Sequence, residues 1–177
     1  MLEELPDPFT FYQLIGWVPF FIFLVSFQIL DPKKTIFLWM IGGSFYALHY
    51  YGLNAFIPMW ISIGGIARDF VAVYGSKRQL NFAVIIYIVF AWSLCLLYGT
   101  EVHDYLVALG TTCLTFSSFN RDHFWRQRVF ALGHQGSWFL AFISMGSYAG
   151  LAMIICSFFS NIIGMARYKM RASNASS

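Results

Sequence analysis

The chain has 177 residues, of which 59% are hydrophobic, 20% are aromatic and only 11% are charged. Soluble domains average about a quarter charged residues, so this composition excludes an ordinary soluble domain. The formal net charge is +3, and the three cysteines all fall in apolar runs. Cysteines in such positions predict small buried side chains and no disulfide framework.

Apolar runs of roughly 16 to 21 residues follow one another along the chain, and this length crosses a hydrocarbon core about 30 Å thick. The acidic start, MLEELPDPF, lacks the basic region of a signal peptide, so we expect no cleavage. The sequence predicts an all-α polytopic membrane protein, a single membrane domain over 1–177 whose surroundings are the lipid bilayer. Its seven predicted spans are 11–30, 35–52, 54–74, 80–99, 104–119, 127–145 and 147–166.

The basic residues lie on one side of this arrangement. All 11 end or follow spans 1, 3, 5 and 7: Lys33, Lys34, Arg68, Lys77, Arg78, Arg121, Arg126, Arg128, Arg167, Lys169 and Arg171. Because Lys and Arg in short loops stay in the cytoplasm, we expect the N-terminus outside and the C-terminus inside. The same rule explains the basic side without a nucleic-acid partner.

Matching segments indicate an internal duplication. Ser26-Phe27-Gln28 matches Ser118-Phe119-Asn120, GSFY at 43–46 matches GSWF at 136–139, and SIGGIAR at 62–68 matches NIIGMAR at 161–167. The matches predict two parallel three-helix repeats, 11–74 and 104–168, joined by a linker helix at 80–99 in a 3+1+3 arrangement. In transporters built from parallel repeats the site lies between the halves, near the midplane.

On these residues the sequence resembles the bacterial inner-membrane YgjV family, and more distantly the MtN3/SWEET/PQ-loop transporters with their 3+1+3 plan. The resemblance covers almost the whole chain through SFQILDPKK, GSFYALHYYG and GSYAGLAMIICSFFSNIIGMAR. It implies motif positions at Gln28 and Asn120, although phenylalanine replaces the proline that precedes the glutamine in PQ-loop proteins. Pro19 is an alternative source of a kink in span 1.

The resemblance also implies a pocket. In the sugar transporters an asparagine of each third helix and an aromatic residue of each second helix line it; Asn161, Phe45 and Trp138 match, whereas Ser62 replaces the other asparagine. A sugar substrate is therefore not implied. Helix rise places the aromatic pair about 15–16 Å, and the polar candidates about 9 Å, from the basic loops. The predicted substrate-binding residues are Phe45, Ser62, Arg68, Trp138, His134, Asn161 and Arg167.

Several of these residues have a structural alternative. Asn161 equally suits an interhelical hydrogen bond, and a lone buried His134 commonly finds a partner. Arg68 and Arg167 either snorkel to headgroups or line a cavity. Ending span 3 at Arg68 would leave only about 21 Å of helix, so pairing with Asp69 inside the protein is the alternative, and an arginine there favours an anionic solute group. We assign His49 and the tyrosines after it to an interfacial aromatic belt.

No enzyme motif such as HExxH or GxSxG occurs, so we expect no enzyme and no cofactor. The spacing in Glu101-Val102-His103-Asp104 is too tight for a metal site. Because the spans hold almost no acids, an Asp/Glu proton relay is not expected. The sequence predicts a transporter or facilitator of a small polar solute, with alternating access between the halves. The alternative is a ligand-binding receptor or adaptor without transport; a homo-oligomer is compatible with either.

Overall fold

The computed structural model describes residues 11–174, and within this range the chain is entirely helical, with no strand. Each predicted span contains one helix, so the all-α class is confirmed. The seven helices are α1 (Phe11–Ser26), α2 (Pro32–Gly52), α3 (Phe56–Tyr74), α4 (Lys77–Tyr98), α5 (Val102–Phe119), α6 (Phe124–Met145) and α7 (Tyr148–Asn174).

Three helices begin three residues before the apolar runs that they contain. Asp31 caps α2, its Oδ1 accepting a hydrogen bond from the Lys33 backbone N–H at 2.9 Å. Ser76 and Gln79 form a reciprocal capping box at the start of α4. Capping satisfies backbone N–H groups that have no partner within the helix, so polar residues can form the first turn. The first residues of α2, α4 and α6 are Pro32, Lys77 and Phe124, against predicted starts at 35, 80 and 127.

Helix ends also differ from the apolar runs. The first helix ends at Ser26, whereas the predicted span continued to 30. Asp31 precedes a proline, which disfavours helical geometry at that residue, and a turn therefore separates α1 from α2. The last helix continues to Asn174, beyond the predicted end at 166. Its final turns carry Lys169 and Arg171, and positive charges there interact favourably with the helix dipole.

Taken singly, three of the described helices are long and apolar enough to cross a membrane: α3, α4 and the Tyr148–Arg171 part of α7. Leu14–Ser26 in α1 is a shorter apolar segment. In contrast, α6 contains Gln127, Arg128, His134 and Gln135, all of which are buried. These polar side chains lower the mean hydropathy of α6, although the fold buries them away from the surroundings. A criterion based on mean hydropathy therefore does not include this helix.

The exterior is apolar and much of the interior is polar. Helix α4 exposes Ile86, Leu96 and Leu97, each to at least 66%. Buried polar residues come from every helix except α4, and they include Thr35 and Ser157. A water-soluble protein shows the reverse distribution, so lipid is the solvent that this surface fits.

Six helices form a closed ring. In order around it, α1 packs on α2, α2 on α3, α3 on α5, α5 on α6, α6 on α7 and α7 on α1, while α4 packs against α3 and α5. The contact between α7 and α1 is close, because a Cβ atom at Gly164 would collide with the backbone carbonyl oxygen of Phe27. A glycine at this position therefore lets two helix backbones meet.

Candidate functional site: a central cavity

A cavity of about 70 Å³ lies among the helices, and every helix contributes to its wall. An apolar cavity of about 150 Å³ holds benzene, so this one has room for about three or four non-hydrogen atoms. The lining residues are Phe23, Trp39, Gly43, Tyr46, Tyr50, Ile61, Ser62, Gly65, Ile66, Arg68, Asp69, Tyr87, Thr111, Leu114, His134, Trp138, Phe142 and Met153. Four predicted site residues are among them: Ser62, Arg68, His134 and Trp138.

A buried ion pair forms one side of the cavity. Nε and Nη2 of Arg68 contact the same oxygen, Oδ1 of Asp69, at 2.9 and 2.8 Å. Nη1 of Arg68 donates to Thr115 Oγ1 at 2.8 Å, and Ser118 Oγ donates to Asp69 Oδ1 at 2.9 Å. The guanidinium carbon lies 4.8 Å from the centre of the Tyr87 ring. Arg68 is thus inside the protein, and the ion pair on α3 is bonded to α5.

This pair bears on two expectations from the sequence. Asp69 lies within α3 and is only 3% exposed, so Arg68 follows the alternative of pairing with Asp69 inside the protein rather than snorkelling to headgroups. Arg68 is compensated by Asp69 and carries no spare positive charge in this arrangement, so its presence alone does not favour an anionic solute. Mean hydropathy cannot detect such a pair. It counts both residues as polar, whether or not their opposite charges are in contact and compensate each other.

Stacked aromatic rings form another side. The Tyr50 ring stacks on those of Tyr46 and Trp138, with centroid distances of 5.4 and 5.7 Å. The hydroxyl of Tyr46 and the indole Nε1 of Trp138 are buried and find no hydrogen-bond partner among the described residues. Buried polar atoms are normally satisfied, so these two groups are hydrogen-bonding positions of the cavity wall that the described residues leave open.

The predicted aromatic residue of α2, Phe45, does not line the cavity; its neighbour Tyr46 does. The cavity-lining residues of α2 are Trp39, Gly43, Tyr46 and Tyr50, a spacing that follows one face of a helix. Phe45 is one position away from this face and is half-buried. The match between GSFY and GSWF identified the correct turn of α2. The helical spacing of the cavity-lining residues is what selects Tyr46 instead of Phe45.

The Nδ1 atom of His134 lies 3.1 Å from the Gly110 carbonyl oxygen. Since a carbonyl only accepts, Nδ1 carries the proton in this contact and Nε2 is left as the second polar atom of the ring. The sequence left open whether His134 has a structural partner or belongs to a site. It has a backbone partner and it also lines the cavity.

Asn161 and Arg167 lie outside the cavity wall. Asn161 is fully buried, and its Nδ2 donates to the Arg128 carbonyl at 3.2 Å and to Gln135 Oε1 at 3.5 Å. This is the interhelical hydrogen bond that was the alternative for Asn161. Arg167 is exposed, and its Nη1 donates to Gln28 Oε1 at 2.9 Å.

The three motif residues have different surroundings. Gln28 connects α1 to α7, because its Nε2 also donates to Ser160 Oγ at 2.6 Å. Asn120, its match in the second half, bonds only locally, with Nδ2 donating to the Phe116 carbonyl at 2.8 Å. Pro19 lies inside α1. The two matched chain segments thus have the same sequence pattern and different contacts.

Arg128 was expected only among the basic residues that follow span 5, not among the site residues. This side chain is fully buried in the first turns of α6, and its Nη2 donates to the Ile29 carbonyl at 2.7 Å. Its guanidinium carbon lies 5.1 Å from the ring centres of both Phe27 and Phe124. Nε and Nη1 have no partner among the described residues. The position of Arg128 seven residues before Gln135, on the buried face of α6, was the available signal.

A second, larger opening of about 750 Å³ lies at the end of the bundle formed by the α2–α3, α4–α5 and α6–α7 connections, which we call the opposite end. The other connections and the end of α7 form the basic end. Pro58 lines this opening and Ile61, about one helical turn further, lines the central cavity.

His49 and Tyr50 at this end are buried rather than interfacial: Nδ1 of His49 lies 2.7 Å from the Tyr12 carbonyl oxygen.

Comparison with known proteins gives one result. No curated protein and no solved structure matches the chain, and the distant resemblance to PQ-loop transporters is not confirmed. A family model, Imp-YgjV, described as a bacterial inner membrane protein, matches residues 10–172. This match spans nearly all of the chain and agrees with the apolar exterior of the helices. The chain belongs to the Imp-YgjV family of bacterial inner membrane proteins.

Proposed function

We propose that the protein is a transporter or facilitator of a small polar solute, and that the central cavity is its solute site. The observation that carries the proposal is the cavity wall. It contains residues from every described helix, a buried ion pair and two unpartnered hydrogen-bonding groups. Polar residues in the interior of a membrane protein commonly mark a solute or ion pathway. The proposal includes no cofactor and no enzymatic step, and the partners proposed are lipid and solute.

Two parallel repeats in seven spans are the second part of the proposal. Pro32 and Phe124, which begin α2 and α6, are 92 positions apart, as are Phe56 and Tyr148, which begin α3 and α7. The ring order is also consistent with a twofold axis along the membrane normal, because such a rotation exchanges the α3–α5 contact with the α7–α1 contact. With seven spans, the basic end lies in the cytoplasm, the N-terminus outside and the C-terminus inside.

The two ends of the bundle support alternating access. At the basic end, contacts from Gln28 and Arg128 join the end of α1 to α7 and α6. At the opposite end the opening of about 750 Å³ reaches to about one helical turn from the cavity. The conformation described is therefore closed toward the basic end and more open toward the other. A solute entering from this end would pass the cavity-lining residues nearest the opening, which include Ile61.

The proposal is tested in two steps. Small polar solutes are first screened for a rise in the thermal unfolding temperature of the purified protein, since a ligand at about 100 times its Kd adds about 2.7 kcal/mol of stability. Uptake of each stabilising solute into proteoliposomes is then measured. We expect Trp138→Ala to reduce binding and uptake at least about tenfold, because it removes both an aromatic wall and an N–H donor.

Leu140→Ala is the matched control, since Leu140 is on the same helix and is 52% exposed to the surroundings. It should bind and transport as the unmodified protein does. Binding without uptake would instead identify a receptor or adaptor, the alternative function. Normal uptake by Trp138→Ala would exclude the central cavity as the solute site.

A further inference from the structure

We propose that the cavity binds a small carboxylate together with one proton, with the carboxylate on Arg68 and the proton on Asp69. This inference rests on the proposed function and specifies the solute class of the same site. It requires an exchange: the solute takes over the position that Asp69 occupies beside the guanidinium, and Asp69 becomes a neutral acid. No bond other than that of the transferred proton is made or broken, and the proton comes from water.

The geometry of Arg68 favours a carboxylate over other anions. Its guanidinium already holds one carboxylate, with Nε and Nη2 at 2.9 and 2.8 Å from Oδ1 of Asp69. The planar fork of arginine fits the two oxygens of a carboxylate better than it fits a spherical ion. The remaining group, Nη1, is held by Thr115 at 2.8 Å, so the guanidinium stays oriented when its acidic partner changes.

Charge balance is the reason why a proton binds together with the carboxylate. Arg68 and Asp69 are both 3% exposed, and together they carry no net charge. Entry of an anion alone would leave an extra negative charge in a medium of low dielectric constant, which costs several kcal/mol. Entry of the anion with a proton on Asp69 keeps the site neutral, with Arg68 paired to the solute. Ser118 Oγ, which donates to Asp69 Oδ1 at 2.9 Å, can remain bonded to the neutral acid.

Two further donors complete the site. The Trp138 indole Nε1 and the Tyr46 hydroxyl line the same cavity, are buried and lack a partner. An indole N–H only donates, so its complement is an acceptor such as a carboxylate oxygen. The volume of about 70 Å³ limits the solute to the size of formate or acetate in this conformation.

Other titratable groups face the same space. They are Tyr46 and Tyr50 from α2, Tyr87 from α4 and His134 from α6. Helix α5 contributes only the hydroxyls of Thr115 and Ser118 to the ion pair. Arg121, after α5, donates to the Ala72 and Gly75 carbonyls of α3. Tyrosine and arginine do not titrate near neutrality, so His134 is the group that an experiment must distinguish from Asp69.

The experiment is a formate titration of the purified full chain in detergent, followed by Trp fluorescence and thermal unfolding, across about pH 6 to 8, where formate remains ionised. If one proton binds with each formate, the affinity falls about tenfold for each unit rise in pH. Asp69→Asn carries a permanently neutral side chain, so its affinity should be independent of pH. His134→Gln and the control Asp104→Asn, which changes a buried acid at the opposite end, should retain the dependence of the unmodified protein.

Arg68→Gln should abolish formate binding, and Trp138→Phe, which keeps the ring and removes the donor, should weaken it about tenfold. Absence of formate binding, pH-independent binding by the unmodified protein, or a pH dependence that survives in Asp69→Asn would overturn the proposal. Loss of the dependence in His134→Gln would likewise overturn it, because it would assign the proton to His134. Proton-linked binding without uptake would keep this site and overturn transport. Uptake of another solute by a protein that does not bind formate would keep transport and overturn the carboxylate site.

Discussion

Arg68 and Arg128 are both almost completely buried, but they are held in opposite ways. Arg68, in α3, pairs with Asp69 and is bonded to α5. Arg128, in α6, has no acidic partner among the described residues; one backbone carbonyl, the hydroxyl of Thr35 and two aromatic rings hold it. The ion pair lines the cavity, whereas Arg128 lies outside the cavity wall at the basic end.

Because of this difference, the guanidinium of Arg68 can change partners, whereas that of Arg128 holds two parts of the chain together. A carboxylate can be protonated or displaced, so the environment of Arg68 is adjustable. A backbone carbonyl, a hydroxyl and the faces of phenylalanine rings are not protonated or displaced in this way, and Arg128 holds the α1–α2 connection against α6 in one arrangement. The contrast leads to three predictions about stability.

The largest effect is expected for Arg68→Met. This change leaves Asp69 as a buried carboxylate with only Ser118 to stabilise it, and the loss of one member of a buried ion pair typically costs about 3–5 kcal/mol. The free energy of unfolding, measured by titration with denaturing detergent in mixed micelles, reports it. Adding Asp69→Leu should recover most of the loss, because both charges are then absent. A double variant as unstable as Arg68→Met would show that the two charges do not compensate each other.

A smaller effect is expected for Arg128→Met, the same substitution at the unpaired arginine. It removes a hydrogen bond to the Ile29 carbonyl, worth about 0.5–1.5 kcal/mol, and a longer one to the Thr35 hydroxyl, but it also removes a buried charge without an acidic partner and two unpartnered N–H groups. The same unfolding measurement should give a loss below about 1.5 kcal/mol. A loss as large as that of Arg68→Met would mean that Arg128 has an anionic partner, such as a bound ion or headgroup.

The smallest effects are expected at the two matched amides. Gln28→Leu breaks bonds between α1 and α7, and side-chain hydrogen bonds between membrane helices average about 0.6 kcal/mol. Asn120→Leu removes only a bond to its own helix end and should cost less. Parallel unfolding titrations of the two variants compare them directly. Equal losses would contradict the assignment of a bridging role to Gln28 alone.

Much of the fold was accessible from the sequence because lipid imposes a simple rule. Apolar segments of sufficient length must become helices, and all seven predicted positions contain one. Part of the cavity followed from the matched segments, which identified Ser62 and Trp138. The choice of Phe45 instead of Tyr46 failed because a motif match locates a helical turn, whereas about 100° of rotation separates adjacent residues.

By itself the sequence determined the helical class, the number and order of the helices and the family, since these depend on local apolar length and on the whole pattern of residues. It also indicated that Arg68 requires a compensating partner, because a charged side chain within an apolar run is costly when it is unpaired. The sequence offered the adjacent Asp69 as one possible partner, and the tertiary structure decided that this pair forms and what else holds it. Thr115 bonds Arg68 and Ser118 bonds Asp69 because α3 packs on α5, and Arg128 contacts the Phe27 ring and the Ile29 carbonyl because the start of α6 lies beside the α1–α2 connection. Such contacts join residues far apart in the chain, and their energies depend on burial and distance, which no single segment specifies.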